Sequence, residues 1–137
     1  MPSFGKTSLA RLGTCHEDLQ LIFSTVVATF DCAIVCGHRG EIDQTVAFES
    51  GKSKVQWPHS KHNSVPSMAV DVAPYPIDWN DRGAFYLLAG WVMCTAEMLY
   101  REGKVSHRVR CGADWNGNHA TKDQRFHDLP HFELVSE

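Results

Sequence analysis

Two short segments that lie far apart in the chain place the strongest constraint on its fold. In residues 60–71, His62 and Asp71 stand nine positions apart, and in residues 128–133, His131 follows Asp128 by three positions. Two imidazoles and one carboxylate are a common ligand set for a catalytic zinc, and a further carboxylate beside the metal would serve as a general base. We therefore expect the fold to bring these two segments together.

The spacing alone leaves a second interpretation open. Short patterns of this kind occur by chance in many chains. Taken one at a time, His62 and His131 are as well explained as hydrogen-bonded polar residues with no metal. The two aspartates, Asp71 and Asp128, shift the balance towards a metal site.

The composition is typical of one soluble globular domain. The chain has 137 residues, of which 43% are apolar and 21% are charged, and this is enough for one hydrophobic core. Its formal net charge is −3 and it has no run of Lys and Arg, which argues against nucleic acid as a partner. We expect a single domain over residues 1–137.

The cysteines do not have the spacing of a disulfide framework, because their number is odd and their positions are scattered. They are Cys15, Cys32, Cys36, Cys94 and Cys111. We interpret them as reduced thiols of a protein made in the cytosol, most of them small core residues. Cys32 and Cys36 lie four positions apart with His38 nearby, which leaves a Cys/His metal site as an alternative.

No segment is predicted to carry the chain into a membrane. Residues 1–18 contain four charged side chains and no sustained apolar run, unlike a signal peptide. The longest uncharged stretch of the predicted long helix, residues 83–96, is too short to cross a bilayer. The sequence therefore predicts a soluble protein without membrane insertion.

Hydrophobic periodicity predicts helices and strands in alternation. Residues 1–14 are expected to be an irregular lead, and Thr14 is expected to cap a helix that begins at Cys15. A longer amphipathic helix is predicted over residues 81–102. Strands are predicted over residues 30–36, 68–73, 105–111 and 129–135. This order predicts a small α+β domain with a mostly antiparallel sheet and packed helices.

Several motifs match one family of enzymes. Three of them contain the candidate ligands: Ser60-Lys-His62, Met68-Ala-Val-Asp71 and Asp128-Leu-Pro-His131-Phe-Glu-Leu134. Further matching stretches are Gly37-His-Arg39, Gly51-Lys-Ser-Lys54, Trp57-Pro58, Asp114-Trp115 and Asp123-Gln-Arg-Phe126. Together they resemble the zinc D-alanyl-D-alanine carboxypeptidase and L-alanyl-D-glutamate endopeptidase family, above all its small single-domain phage endolysins. The resemblance covers about residues 9–134 and implies a fold of the hedgehog and D-Ala-D-Ala peptidase type.

The resemblance implies a role for each candidate residue. His62, Asp71 and His131 would hold Zn²⁺. Asp128 would take a proton from the attacking water and pass it to the leaving amine. Arg39 matches the arginine that binds the substrate carbonyl or carboxylate, where its fixed charge would stabilise an oxyanion.

The activity implied is hydrolysis of the L-alanyl-D-glutamate bond in the stem peptide of bacterial peptidoglycan. The biological role implied is lysis of the host cell by a monomeric phage endolysin. Such a protein is made in the host cytoplasm and reaches the wall in the periplasm through a separate holin-type pore.

Two alternatives stay open. One is a D-alanyl-D-alanine carboxypeptidase or dipeptidase with the same metal site, and the other is a non-catalytic wall-binding module on the same fold. The chain also departs from the usual family pattern, because Val65-Pro66 lengthens the connection from His62 to Asp71 by two residues.

Four further residues are candidates for supporting roles. Ser60 and Glu133 each stand two positions from a candidate histidine ligand, and we expect them to orient its ring through the second nitrogen. Gln44 and Trp115 are expected to line the cleft or to bind substrate.

A second metal hypothesis concerns the loop that follows the third predicted strand. Asp114, Asn116 and Asn118 have the alternating oxygen ligands of a calcium-binding loop. His119 stands where such loops carry a glycine, and the closing glutamate is missing. The sequence therefore leaves a Ca²⁺ site as a weaker hypothesis beside the zinc site.

Overall fold

Helices and strands alternate along the chain in the computed structural model, which describes residues 2–120 and 128–136. In chain order they are α1 (Lys6–Leu12), α2 (Glu17–Val27), β1 (Cys32–Cys36), α3 (Glu41–Glu49), a 3-10 turn (Lys61–Asn63), β2 (Ala69–Pro74), α4 (Arg82–Arg101), β3 (Arg108–Gly112) and β4 (Asp128–Val135). This architecture confirms the predicted α+β class.

The four strands form one antiparallel sheet in the order β1-β2-β4-β3. β2 and β4 are neighbours in its centre, and their register places Asp71 of β2 directly opposite His131 of β4. Residues that face each other across two antiparallel strands project their side chains on the same side of the sheet. The register therefore brings together two of the three predicted zinc ligands.

One face of the sheet is covered by helices. α4 lies where an amphipathic helix was predicted over residues 81–102, and its buried stripe consists of Phe85, Leu88, Ala89, Val92, Ala96 and Leu99. Phe23 of α2 meets Phe132 of β4 edge to face, with ring centroids 5.4 Å apart. Burial of these apolar side chains is the main source of stability. This packing also holds the central strands in place. Because successive residues of a strand point to opposite faces, His131 projects from the face opposite to that of Phe132.

The long helix α4 would suffice to cross a membrane if only its length and composition were considered. In the fold, its inner side packs against β2, β3 and β4, and 33% of its most apolar window is buried. We therefore interpret α4 as the core helix of the domain.

A β-bulge in β1 places two cysteines on different sides of the sheet. The pairing of β1 with β2 shifts between Ile34 and Cys36, which interrupts the alternation of side chains. Cys32 lies in the hydrophobic core, whereas Cys36 lines a large cavity on the opposite face. The alternative of a metal site built from Cys32 and Cys36 is therefore wrong. All five cysteines are free thiols, as predicted.

The N-terminal residues contain a helix, α1, where an irregular lead was predicted. Only Leu12 of this helix is buried, so it lacks the apolar stripe by which helices are recognised. Hydrogen bonds to β1 hold it instead. Ser8 Oγ accepts from the backbone N–H of Ile34 at 3.0 Å, and Arg11 Nη1 donates to the carbonyl oxygen of Ile34 at 3.1 Å. α1 thereby covers the outer edge of the sheet.

The cap of α2 also differs from the prediction. α2 begins at Glu17, and Nδ1 of His16 accepts from the backbone N–H of Asp18 at 3.0 Å. The hydroxyl of Thr14 accepts from the backbone N–H of His38 at 2.9 Å. Thr14 therefore joins the turn before α2 to the segment after β1, and this long-range contact replaces the predicted local cap.

Candidate metal centre

Three donor atoms from distant parts of the chain converge on the open face of the sheet. Nε2 of His62 and Nδ1 of His131 each lie 3.3 Å from Oδ1 of Asp71, and the three residues offer donors within 4.8 Å of one another. In a tetrahedral zinc site with bonds of about 2.0–2.1 Å, the donor atoms are about 3.3–3.4 Å apart. The observed spacing therefore fits a zinc ion.

The second nitrogen of each imidazole is held by another group. Nδ1 of His62 lies 2.8 Å from the carbonyl oxygen of Gly37, and Nε2 of His131 lies 2.8 Å from Oε1 of Glu133. Partners of this kind orient histidine ligands in metal sites. Nε2 of His62 is buried and has no hydrogen-bond partner among the described residues. Such an atom requires an explanation, and a metal ion supplies one.

The charges of the three residues reinforce one another. Burial lowers the pKa of His62, but the contacts with Asp71 and Cys36 outweigh burial and raise that pKa to about 10. Burial raises the pKa of Asp71, but the two imidazoles outweigh it and hold that pKa well below its usual range. Because a metal ligand must give up its proton, zinc binding here should release protons and weaken as the pH falls.

The longer connection between His62 and Asp71 is accommodated outside the site. The backbone N–H of Met68 donates to the carbonyl oxygen of Lys61 at 3.0 Å, so the connection begins and ends at nearly the same place. Val65 between them is 84% exposed. The added residues extend into solvent, and closing a slightly longer loop costs little.

Asp128 lies beside the three donors at the start of β4. Its Oδ2 is 4.0 Å from Nδ1 of His131. Burial and the negative charge of Asp71 raise the pKa of Asp128 above its ordinary value. A carboxyl group with a raised pKa is better suited to take up and release a proton near neutral pH.

Two glycines, which had no assigned role of their own, allow the backbone to approach closely at the site. A Cβ atom on Gly112 would overlap the carbonyl group of Asp128, its partner across β3 and β4. A Cβ atom on Gly37 would overlap the carbonyl oxygen of Arg11. Only glycine fits such approaches. Gly112 thereby fixes the position of Asp128, and Gly37 fixes the carbonyl that holds His62.

The guanidinium of Arg39 lies next to Asp71 and lines the cavity. Its Nη2 is 3.4 Å from Oδ2 of Asp71, and its Nη1 donates to Oε1 of Gln44 at 3.1 Å. The backbone N–H of Arg39 donates to the carbonyl oxygen of His62 at 2.8 Å. Arg39 is thus tied to the donor cluster through both its side chain and its backbone.

Gln44 is the buried centre of the network that holds Arg39. Its amide oxygen accepts from Arg39 at 3.1 Å and from Nδ2 of Asn63 at 3.3 Å. Its amide nitrogen donates to Ser53 Oγ at 2.9 Å and to the carbonyl oxygen of Val55 at 2.7 Å. All four hydrogen-bonding positions of the amide are therefore used. Gln44 is 0% exposed, so the prediction that it lines the cleft is wrong, and it supports the cleft from beneath.

The two residues that were predicted to orient the histidine rings differ in their contacts. Glu133 contacts the ring of His131, and its Oε2 lies 2.7 Å from Arg110 and 3.4 Å from Lys61. The hydroxyl of Ser60 accepts from the backbone N–H of His62 at 3.2 Å. The prediction that Ser60 holds the imidazole is wrong, because this hydroxyl caps the 3-10 turn.

The donor cluster lies in a cavity of about 830 Å³, a volume in the range of ligand-binding clefts. Trp115 lines this cavity as predicted, and its ring centroid is 5.4 Å from that of His131. Lys52 and Lys54, from the segment after α3, line it as well. The site is therefore open to a polar ligand of considerable size.

The predicted calcium loop is described as far as Ala120. Its side-chain oxygens accept hydrogen bonds from backbone N–H groups of the same loop. Asp114 accepts from His119 at 2.9 Å, Asn116 accepts from Asn118 at 3.3 Å, and Asn118 accepts from Ala120 at 2.9 Å. These contacts stabilise the turns of the loop. The calcium site stays a prediction, and the matching motif at residues 123–126 lies outside the described residues.

A second His–Asp–His cluster, to which no role was assigned from the sequence, lies where α2 meets the start of β3. His16, Asp18 and His107 offer donors within 4.8 Å of one another. Nδ1 of His107 lies 2.8 Å from Oδ2 of Asp18, which also accepts from the backbone N–H of Ser106 at 3.0 Å. Asp18 and His107 are 89 positions apart, so no local pattern predicts their contact.

Comparison with known proteins identifies the family of the chain. The family model of phage L-alanyl-D-glutamate peptidases matches residues 2–135. No curated protein matches the chain. The solved structure of the L-Ala D-Glu endopeptidase ChiX of Serratia marcescens is similar, with a TM-score of 0.70 and 20% identity over 98% of this chain and 91% of that chain; this likeness shows a shared fold. Because the family match spans nearly the whole sequence, the chain belongs to the phage L-alanyl-D-glutamate peptidase family.

Proposed function

We propose that this protein is a zinc-dependent peptidase that hydrolyses the L-alanyl-D-glutamate bond in the stem peptide of bacterial peptidoglycan. The observation that carries the proposal is the convergence of His62, Asp71 and His131, with two donor spacings of 3.3 Å, beside Asp128. Two imidazoles and a carboxylate form a ligand set that leaves a coordination position open for catalysis. Membership of the peptidase family supports the choice of bond.

Asp128 is the proposed proton carrier. Zinc, when bound, supplies a Lewis acid that polarises a carbonyl and lowers the pKa of water. Asp128 takes a proton from the attacking water and delivers it to the amine nitrogen of D-glutamate as the bond from that nitrogen to the L-alanyl carbonyl carbon breaks. The raised pKa of Asp128 suits both halves of this transfer.

Arg39 is the proposed electrostatic partner of the developing oxyanion. Its guanidinium keeps its charge at any working pH. Contacts with Gln44 and Asp71 hold it in place before substrate arrives. A preorganised positive charge stabilises the transition state without the cost of reorganisation, so we assign Arg39 to the oxygen of the L-alanyl carbonyl.

The two alternative functions make different predictions. A D-alanyl-D-alanine carboxypeptidase or dipeptidase would use the same ligands and the same base, but would release D-alanine. A wall-binding module would have no use for a carboxyl group such as Asp128, which lies beside His131 and whose pKa is raised by burial and by the charge of Asp71. The position of Asp128 therefore favours an enzyme.

The proposed biological role is that of a phage endolysin. The protein would be made in the host cytoplasm as a monomer, enter the periplasm through a holin-type pore and lyse the host by cutting its wall. Family membership supports this role. A calcium ion bound by Asp114, Asn116 and Asn118 would be an addition to the zinc site.

The test uses Gram-negative cells with permeabilised outer membranes. Wild-type protein, Asp128→Asn and the control Asp31→Asn, which changes an exposed aspartate, are compared by loss of turbidity and by mass spectrometry of the released peptides. We expect clearing by the wild type and by Asp31→Asn, with stem peptides that begin at D-glutamate. For Asp128→Asn we expect a loss of rate of about 10²–10⁴-fold with zinc retained.

Three results would contradict the proposal. Equal clearing by Asp128→Asn would show that Asp128 is not the base. Release of D-alanine alone would identify the carboxypeptidase. Binding to the wall with no bond cleaved, by zinc-loaded wild type, would identify the binding module.

A further inference from the structure

The charge of the cleft differs from that of the whole chain. The chain has a formal net charge of −3. Among residues 2–120 and 128–136, those that line the cavity include five cationic side chains and four carboxylates. The cations are Arg39, Lys52, Lys54, Lys61 and Arg110, and the carboxylates are Asp43, Asp71, Asp128 and Glu133. Even before any metal is bound, the cleft is therefore the part of an acidic protein that suits an anionic ligand.

Most of these cations are held by carboxylates of the site, but Lys52 is not. Arg39 lies within 3.4 Å of Asp71, and Lys61 and Arg110 lie within 3.4 Å of Glu133. Lys52 is exposed and, within residues 2–120 and 128–136, has no hydrogen-bond or ion-pair partner. Its ammonium group is thus a charge on the cleft wall that no described carboxylate neutralises.

The segment that carries Lys52 is fixed by the same network that fixes Arg39. Gln44, which accepts from Arg39, donates to Ser53 Oγ at 2.9 Å and to the carbonyl oxygen of Val55 at 2.7 Å. The backbone N–H of Ser53 also donates to the carbonyl oxygen of Ala47 at 3.0 Å. Ser53, the residue after Lys52, is therefore held by hydrogen bonds to both its side chain and its backbone. Because the backbone next to Lys52 is held in place, the lysine loses less conformational entropy when it binds a ligand.

The chemistry of the proposed substrate supplies the matching anion. Glutamate has two carboxyl groups, and the peptide chain that continues beyond it uses only one. The residue that follows the cleaved bond therefore keeps a free carboxylate close to the scissile amide. We propose that Lys52 binds a free carboxylate of the stem peptide and thereby selects peptides that carry one. This inference rests on the proposed function, because it assumes that the stem peptide enters this cleft.

The test compares substrates and enzyme variants in pairs. Synthetic stem peptides carry the second carboxyl group of D-glutamate either free or as the amide. In a second pair, the third residue is either a diamino acid with a free side-chain carboxylate or lysine. The variants are Lys52→Gln, the conservative Lys52→Arg, and Lys104→Gln as the control, since Lys104 is an exposed lysine paired with Glu102 away from the cleft. Cleavage is measured on the active enzyme, and binding is measured by titration calorimetry on the zinc-loaded Asp128→Asn protein.

The expected result is selective. Lys52→Gln should lower kcat/KM for the free-acid peptide about tenfold, mainly through KM, which is the effect of losing one charge-assisted hydrogen bond. Its rate on the peptide without that carboxylate should stay unchanged, and Lys52→Arg should restore the preference. If Lys52→Gln abolishes the preference within the first pair of peptides, the recognised carboxylate is that of D-glutamate. If it abolishes the preference within the second pair, the carboxylate is that of the third residue.

Different results would contradict the role of Lys52 and the proposed function. If Lys52→Gln lowers all rates equally or leaves all of them unchanged, Lys52 does not recognise a carboxylate, although cleavage itself still supports the proposed function. If the wild type cleaves no peptide, the proposed function fails. Calorimetry then decides the inference alone: binding that weakens on Lys52→Gln only for free-acid peptides supports it, and any other pattern overturns it.

Discussion

Within residues 2–120 and 128–136, two His–Asp–His clusters have the same composition and different geometry. In the cluster of His62, Asp71 and His131, both imidazoles lie 3.3 Å from one carboxylate oxygen. In the cluster of His16, Asp18 and His107, one imidazole lies 2.8 Å from the carboxylate. The first distance is the spacing of two ligands on one zinc ion, and the second is that of a direct hydrogen bond.

The difference arises from what the remaining atoms contact. In the first cluster, Gly37 and Glu133 hold the outer nitrogens of the rings, so the inner nitrogens converge. In the second cluster, Nδ1 of His16 caps α2, and Oδ2 of Asp18 already accepts from Ser106. Two of the candidate donor atoms of the second cluster therefore already have backbone hydrogen-bond partners.

Residue type alone does not decide the role of such a cluster. Outer contacts direct the donor atoms of the first cluster towards a common point, whereas a helix cap and hydrogen bonds occupy some of the donor atoms of the second cluster. We therefore keep the first cluster as the proposed zinc site and interpret the second as a clamp between α2 and the start of β3.

The largest effect is expected when one histidine is changed in each cluster. We expect wild-type protein to bind one zinc per chain. His62→Gln should lose that zinc and about three orders of magnitude of activity, since a catalytic metal contributes several kcal/mol to transition-state stabilisation. The matched variant His107→Gln should keep both. Zinc content is measured by elemental analysis and activity by turbidity; zinc retained in His62→Gln or lost in His107→Gln would reverse the assignment.

A smaller effect is expected where the backbone places Asp128 beside the first cluster. Gly112→Ala should push Asp128 away from His131, because the new Cβ atom overlaps the Asp128 carbonyl. Misplacement of a catalytic group by about 1 Å costs about 10²-fold in rate, so we expect such a loss in kcat with zinc retained. Gly90→Ala is the matched control, since its Cβ atom meets no other atom within 4 Å. Full activity in Gly112→Ala would show that the close approach does not hold Asp128.

The smallest effect is expected in the second cluster and concerns stability alone. Burial by itself would raise the pKa of Asp18, but hydrogen bonds from His107 and Ser106 outweigh it and hold that pKa below its ordinary value. The stabilisation is therefore fully present above the unfolded pKa of about 3.9 and is lost as the pH falls through the lower folded pKa. Asp18→Asn should lower the free energy of unfolding by about 1–3 kcal/mol at pH 7.

This pH dependence can be measured by urea unfolding from pH 7 down to pH 3. The difference between wild type and Asp18→Asn should shrink below about pH 4, where the unfolded wild-type carboxylate takes up its proton. Zinc content and activity should not change. A difference that stays constant down to pH 3, or a loss of zinc, would contradict the role of a structural clamp.

Much of the fold and of the site could be predicted because those features depend on local patterns. The apolar residues of α4 repeat with helical periodicity. In the strands that carry Asp71 and His131, successive side chains point to alternate faces of the sheet. Two imidazoles with two carboxylates indicate a candidate zinc site, and the resemblance to a peptidase family implied the role of each residue. These properties can be read from a sequence because they depend on the chemistry of single side chains and on spacing along one element.

The contacts that each of these groups makes depend on the folded structure. In the fold, Gln44 lies beneath the cleft. The hydroxyl of Ser60 accepts from the backbone N–H of His62, and α1 is held by contacts with Ile34 of β1. The fold also produces the clamp of Asp18 and His107, whose partners are 89 positions apart. Strand register, a bulge and hydrogen bonds between distant segments set these contacts, and no periodicity in the chain encodes them. The sequence by itself determined which donors are present, whereas the packing of the sheet determined which nitrogen faces which oxygen.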